Sequence, residues 1–308
     1  MDARGIFPYL QGKMDCEDSM KHYPQIILHT GSFLMIGLLL IAGCGGGQKE
    51  AVTKGPLYYR YLEYHDEQGQ CGEYGLQPCV RVDMVYPYVS KGPKAGVNAV
   101  NGFTQDFLQH AFYDVLNLRG DLEESETQVE TSEEFTRAFV AAYEQFRESY
   151  PESSIGYSFQ FEGAVKYNSE RYATLLTIYS AYTGGAHPYG ERKMASFDLA
   201  TGKQLDLEDI VHAPEKLPAL GEKFFRRAHG YSHDTDWAET PYFYETGGFV
   251  LSEKFGLTEE GLVFWYDPYE IAPYSEGPSR FAIPWDALQR ILTSAMHEEF
   301  LAPSSAEH

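Results

Sequence analysis

The chain has 308 residues, a formal net charge of −21, and 43% hydrophobic and 15% aromatic residues. The acid excess repels nucleic acid phosphates and anionic membrane and suits a basic protein partner, although it serves equally to keep an exported domain soluble. The apolar content supplies a substantial core and excludes a disordered chain, and the length suits one large domain or two small ones packed together.

In chain order, Met20–Cys44 reads as a lipoprotein signal. Lys21 and His22 form a basic start, Ile26–Leu40 is dominated by apolar residues, and Ile41-Ala42-Gly43 places small residues before Cys44. An apolar run enters the bilayer as a helix, and small residues let a peptidase reach the backbone. The thiol of Cys44 would then carry a diacylglycerol. An uncleaved transmembrane helix is the weaker reading, since the run is near the ~17-residue lower limit for spanning and is broken by His29, Thr30 and Ser32. Met1–Ser19 precede Met20 and are set aside as an upstream mis-start or a long n-region. Removing Met1–Gly43 takes away four acids (Asp2, Asp15, Glu17, Asp18) and three bases (Arg4, Lys13, Lys21), so the mature chain stays strongly acidic. Gly45, rather than Asp, follows the lipidated cysteine, so in a two-membrane bacterium the expected location is the outer membrane, facing the periplasm.

Gly45–Gly55 is Gly-rich and polar, as expected of a tether. Leu57–His65 and Leu76–Val89 are rich in Tyr and Val and bracket Cys71 and Cys79, which predicts a hairpin. In an oxidising compartment two cysteines across a Gly- and Pro-containing turn form a disulfide by default. No second cysteine pair or clustered His supports a metal site, and the spacing is not C-x-x-C, so neither metal nor cofactor is expected. Asn98–Leu118 carries Val100, Phe103, Phe107, Ala111 and Val115 at helical spacing, with Gly120 as a stop. The acidic stretch Gly120–Glu130 reads as a solvated loop. Thr131 with Glu134 forms a capping-box pattern before Phe135, Phe139, Ala142 and Phe146, and Tyr150-Pro151 ends that helix.

Ile155–Tyr167 and Arg171–Tyr182 alternate and predict a second hairpin, followed by a strand over Lys193–Leu199 and the turn Ala200–Lys203. Pro214 opens a helix carrying Leu217, Leu220 and Phe224 that stops near Gly230. Phe249–Leu251, Leu262–Tyr266 and Arg280–Ile283 read as short strands, and Pro284 opens a last helix with Leu288, Ile291 and Leu292. Strands and helices neither alternate strictly nor segregate completely, so the class is α+β with mainly antiparallel sheets and packed helices.

Two segments stand out chemically. In Tyr182–Gly190, Gly184 and Gly185 permit positive φ and close backbone approach, while His187 is held by Pro188 and flanked by Tyr182 and Tyr189. His187 reads as a general base or ligand, or more simply as a turn histidine bonded to backbone; no nucleophile is obvious beside it. In Asp267–Tyr274, Tyr269, Glu270 and Tyr274 could form a shelf for sugar or peptide, or the prolines and tyrosines simply fix a loop. Asp206, Glu208 and Asp209 suggest glycoside hydrolysis only if they share a cleft; stabilisation of a helix start explains them more simply. No nucleophile elbow, zinc-protease helix, Walker loop or dinucleotide turn occurs.

Tyr182–Pro188, Phe197–Lys203, Asp267–Tyr274 and Ile283-Pro284 together resemble the RsiV-like C-terminal domain of unknown function, and the upstream portion is similar to the PdaC-type domain that commonly precedes it. The resemblance divides the chain into an upstream segment and signal (1–43), a tether (44–56), a PdaC-like portion (57–180), an RsiV-like portion (181–295) and a tail (296–308). It implies an extracytoplasmic α+β module, found alone in lipoproteins, in an anti-sigma factor that binds lysozyme, and ahead of a peptidoglycan deacetylase domain. Neither a sigma-binding segment nor a deacetylase catalytic domain is expected here, so neither of those functions is carried across. The expectation is a non-enzymatic, lipid-anchored envelope protein that binds a basic lysozyme-like hydrolase or a peptidoglycan-derived ligand, through Tyr182, Gly184, Gly185, His187, Tyr189, Tyr269, Glu270 and Tyr274. The alternative is an envelope hydrolase using His187 and a carboxylate such as Glu270. No nucleic acid partner is expected.

Overall fold

The computed structural model describes residues 55–69, 71, 78–117, 129–244 and 247–302. The signal segment through Cys44, nearly all of the tether, the turn residues 72–77 and most of the acidic stretch after residue 117 lie outside them. No helix among the described residues is long and apolar enough to cross a membrane.

β1 (Tyr58–Gly69) and β2 (Cys79–Lys91) pair antiparallel, with Gly69 opposite Cys79. The Cys71–Cys79 disulfide closes this end of the hairpin. The chain then leaves the sheet for two helices, α1 (Lys94–Leu116) and α2 (Ser132–Ser149). It returns in β3 (Tyr157–Asn168), which pairs parallel to β2. A parallel pair needs a long crossover, and the two helices supply it. β4 (Tyr172–Tyr182) and β5 (Tyr189–Asp198) complete a five-stranded sheet in the order β1-β2-β3-β4-β5, antiparallel at every pair except β2 with β3.

The helices pack on one face of this sheet for reasons written in their spacing. In α1, Val100, Phe107, Ala111 and Val115 share one buried stripe. α2 begins in a complete capping box: the Thr131 hydroxyl accepts from the Glu134 N–H, and the Glu134 carboxylate accepts from the Thr131 N–H. Phe112 stacks on Phe135 at 4.0 Å, and Phe135 lies 4.5 Å from Phe159 of β3, so rings from α1, α2 and the sheet form one aromatic core.

The second face of the sheet is covered as well. After α3 (Leu207–Ile210) and α4 (Leu217–Ala228), a three-stranded antiparallel sheet forms from β6 (Lys254–Thr258), β7 (Gly261–Tyr266) and β8 (Ser279–Ile283). It packs against β4 and β5. A Cβ at Gly256 would sit 2.7 Å from Met194 Cε and 2.8 Å from Thr174 Cγ2, so only glycine permits this approach. The Ser196 hydroxyl accepts from the Leu257 N–H and pairs with the Thr174 hydroxyl at 2.8 Å. β4 and β5 are therefore buried on both sides. Glu191, Lys193, Ala195 and Phe197 face the helices, and Arg192, Met194 and Ser196 face the second sheet.

Three local expectations need correction. Phe249–Leu251 is not a strand: Phe249 lies 5.6 Å from Phe225 and 6.1 Å from Phe281, and Leu251 reaches Gly221, so the run plugs the core beside α4. The strand comes next, in Lys254–Thr258, where Gly256 had masked it. The single helix expected after Pro284 is interrupted, because Ile291–Thr293 turn back to pair with residues 210–212. Only α5 (Trp285–Leu288) precedes that turn, and α6 (Ser294–Phe300), capped by the Thr293 hydroxyl, runs into the expected tail. Phe300 stacks on Trp285 at 3.7 Å, which holds α6 against the core.

Candidate functional site

The β4–β5 turn and the β7–β8 loop, remote in sequence, meet on the surface. Ala181 pairs with Tyr189, so residues 182–188 form the turn. Gly184 and Gly185 have φ of 106° and 108°, a region disfavoured for side-chain-bearing residues. Tyr182 donates its hydroxyl to the Gly185 carbonyl at 3.2 Å. This geometry presents His187 to the facing loop.

Two aromatic residues receive it. The His187 imidazole stacks on the Tyr274 ring at 4.0 Å and 16°, and its Nε2 lies 2.9 Å from the Tyr269 hydroxyl. Nδ1 lies 2.9 Å from the Pro188 carbonyl, which can only accept, so Nδ1 carries the proton and Nε2 accepts from the phenol. Among the described residues Tyr269 alone has a positive φ without being glycine, at 70°, and it is 56% exposed. Its turn holds it: the Tyr269 N–H donates to the Ala272 carbonyl at 3.1 Å, the Glu270 N–H to the Asp267 carbonyl at 3.1 Å, and the Asp267 N–H to Glu270 Oε2 at 2.8 Å. Burial raises the pKa of the Tyr274 phenol, with a further push from Tyr269.

Charged groups support this loop from beneath. Arg192 on β5 binds Asp267 Oδ1 at 2.6 Å and lies over the Trp265 ring at 4.6 Å. Lys254 on β6 lies 3.1 Å from Asp267 Oδ2 and 2.7 Å from Glu270 Oε2. Burial pulls the Lys254 ammonium down, but Glu270 and Asp267 outweigh it and hold its pKa above the ordinary lysine value. Arg192 and Asp267 are 10% and 15% exposed at the side chain, so this pair is a buried strut rather than a solvated contact.

The expected site residues thus divide. Tyr182, Gly184, Gly185, His187, Tyr269, Glu270 and Tyr274 belong to one locality. Tyr189 does not share it: residues 189, 191 and 193 point to the helix face, where Tyr189 meets the influence of Asp114 and Tyr157, and burial pushes its phenol up to about 12. Asp206 and Asp209 form a capping box at α3, with Lys203 bound to Asp209 at 2.6 Å, and build a helix start. Arg192, Lys254 and Trp265 went unnoticed in the sequence. Arg192 carries the one usable signal, a cation in an alternating strand at the same parity as the buried Met194.

A family model described as "Deacetylase PdaC" matches residues 76–189, and one described as "Protein of unknown function (DUF3298)" matches residues 208–286. The chain carries a PdaC domain followed by a DUF3298 domain. The expected pairing of a PdaC-type portion with a C-terminal domain of unknown function is therefore met. His187 lies at the end of the PdaC range, whereas Tyr269 and Tyr274 lie in the DUF3298 range, so the cluster is assembled from both. The fold is similar to the crystal structure of a DUF3298 family member from Bacteroides fragilis, at 20% identity and a TM-score of 0.59, covering 81% of this chain and 98% of that one. A DUF3298 family protein from Pseudomonas aeruginosa, also 20% identical, gives a TM-score of 0.49 with 79% of this chain and 97% of that one covered. Comparison with curated proteins gives no match.

Proposed function

We propose that the protein is an exported, lipid-anchored envelope protein, modified at Cys44, whose PdaC and DUF3298 domains bind a partner rather than catalyse a reaction. The site carries this reading. Both nitrogens of His187 are engaged, by the Pro188 carbonyl and the Tyr269 phenol, and Glu270 is held by Lys254 and its own turn. A hydrolytic histidine needs a ring nitrogen free to take a proton, and His187 offers none; Glu270 is exposed but tied at Oε2 to Lys254 and to the Asp267 N–H. Converging aromatic side chains on an exposed surface suit recognition instead. The partner is a basic lysozyme-like hydrolase, which the charge of −21, spread over the chain rather than gathered at this cluster, would attract. In a two-membrane bacterium, Gly45 after the lipidated cysteine favours the outer membrane, facing the periplasm.

Binding to hen-type lysozyme and to cytochrome c across an ionic-strength series tests the partner. Long-range attraction fades as screening shortens from ~10 Å at 0.1 M to ~3 Å at 1 M salt, so both proteins lose the non-specific part of their affinity. Specific capture leaves a salt-resistant component for lysozyme alone. Equal binding of the two at every salt concentration removes the physical support for this partner. The anchor is tested by fatty-acid labelling: Cys44→Ser abolishes incorporation, and label retained by that variant excludes lipidation at this position.

A further inference from the structure

The chemistry of the His187–Tyr269–Tyr274 cluster differs from that of the chain around it. The two cations beneath it, Arg192 and Lys254, are matched by two carboxylates, Asp267 and Glu270. These four groups balance one another, so the support beneath the cluster is electrically neutral on a chain of net charge −21. What the cluster exposes is the Tyr269 ring, fixed at both ends: its backbone is held in a disfavoured conformation by the 267–272 turn, and its hydroxyl is bound to His187. Side-chain freedom lost in advance is not lost on binding, so a ring held this way is prepared for a face-on contact. Beside it the Gly184-Gly185 turn leaves open space; a Cβ at Gly185 would meet nothing within 4 Å. Glu270 and Lys254 place an acceptor and a donor at the root of the same turn.

We infer that this shelf binds a neutral sugar ring, with Tyr269 packing on its apolar face. A pyranose presents a face of C–H groups and a rim of hydroxyls that both donate and accept, which matches an exposed aromatic ring next to a balanced donor and acceptor. An anionic ligand gains nothing from a site without net positive charge, and a strongly basic one gains nothing local. A proline-rich peptide is the nearest competitor, but it docks in grooves lined by several open aromatic faces, and here His187 already covers one face of Tyr274. This inference rests on the binding-protein reading and not on the identity of the protein partner.

Calorimetric titration of the full chain with an N-acetylglucosamine tetramer, a glucose tetramer of the cellulose type and a proline-rich peptide tests it. The expected result is sugar binding that changes little with added salt, and that weakens about tenfold or more in Tyr269→Gly, the size of a central aromatic contact. Glycine tolerates the positive φ, so this variant keeps its fold, checked by an unchanged melting profile. Tyr58→Ala, which removes an exposed tyrosine from the distant β1, leaves the affinity unaltered. Absence of binding by both sugars, full affinity in Tyr269→Gly, or Tyr269-dependent binding of the peptide alone would overturn the inference. None of those outcomes bears on salt-resistant capture of lysozyme, which stands or falls separately.

Discussion

Two histidine–tyrosine pairs in this protein share one hydrogen-bond chemistry and differ in everything around it. At the surface His187 Nε2 meets the Tyr269 phenol at 2.9 Å; beside α4 His229 Nδ1 meets the Tyr242 phenol at 2.8 Å. His187 stacks on a second tyrosine and is exposed along one side, whereas His229 lies against Phe225 at 4.3 Å and its Nε2 is enclosed with no hydrogen-bond partner among the described residues. Phe225 is fully buried and touches Trp237, Tyr242, Phe249, Tyr266 and Phe281, so the inner pair belongs to the core. The outer pair stands on a turn held in a disfavoured conformation. Surroundings, rather than the pair itself, separate a structural contact from a recognition surface.

The largest expected effect comes from removing what surrounds the inner pair. Phe225→Ala should destabilise the fold by about 3–5 kcal/mol, the range for truncating a fully buried phenylalanine, measured by chemical denaturation. A loss below about 1 kcal/mol would mean that the ring cluster around α4 is not part of the core.

Next comes the inner hydrogen bond. Tyr242→Phe leaves the ring in place but deprives His229 of its partner, and should cost about 1–3 kcal/mol as an unsatisfied enclosed group. The same site gives a pH signature. Burial lowers the pKa of His229 below its ordinary value of 6.5, so the folded state binds its proton less readily than the unfolded chain. This contribution is fully present above the unfolded pKa and is lost as pH falls from there through the lower folded pKa. Melting temperatures between pH 7.5 and 5 should therefore fall less steeply in His229→Gln than in the wild type, and parallel slopes would remove His229 as the source.

The outer pair should respond least. Tyr269→Gly removes a hydrogen bond at the surface and also relieves a conformation that costs on the order of 1 kcal/mol for a non-glycine residue. The two effects oppose each other, so denaturation should move by less than about 1 kcal/mol. A loss as large as that of Tyr242→Phe would show that the two pairs are equivalent after all.

How far the sequence carries this contrast depends on range. Gly184-Gly185, His187 and the Tyr- and Pro-rich stretch 267–274 are legible because their unusual backbone requirements are local. The capping box at Thr131 and the stripe on α1 are legible for the same reason. The contact between the two loops is not, since nothing in either segment encodes the other across some eighty residues. The Arg192–Asp267–Lys254 support is hidden similarly, because it follows from β5 packing on β6. β6 itself escapes notice through Gly256, whose value lies in the side chain it lacks. α6 escapes because its anchor, Phe300 against Trp285, is tertiary.

The parallel pairing of β2 with β3 also sets an order of events. A hairpin such as β1–β2 can close as soon as both strands exist, and the Cys71–Cys79 link joins neighbours in the chain. β3 can dock only after α1, α2 and their connection have been gathered, so the inner edge of β2 must wait for partners far downstream. Contacts of long sequence separation slow folding, since the loop must close before they reward it. Synthesis from the N-terminus would thus deliver a finished hairpin whose β2 edge is still open, and the span between Lys94 and Tyr157 measures how long that edge stays available to a wrong strand.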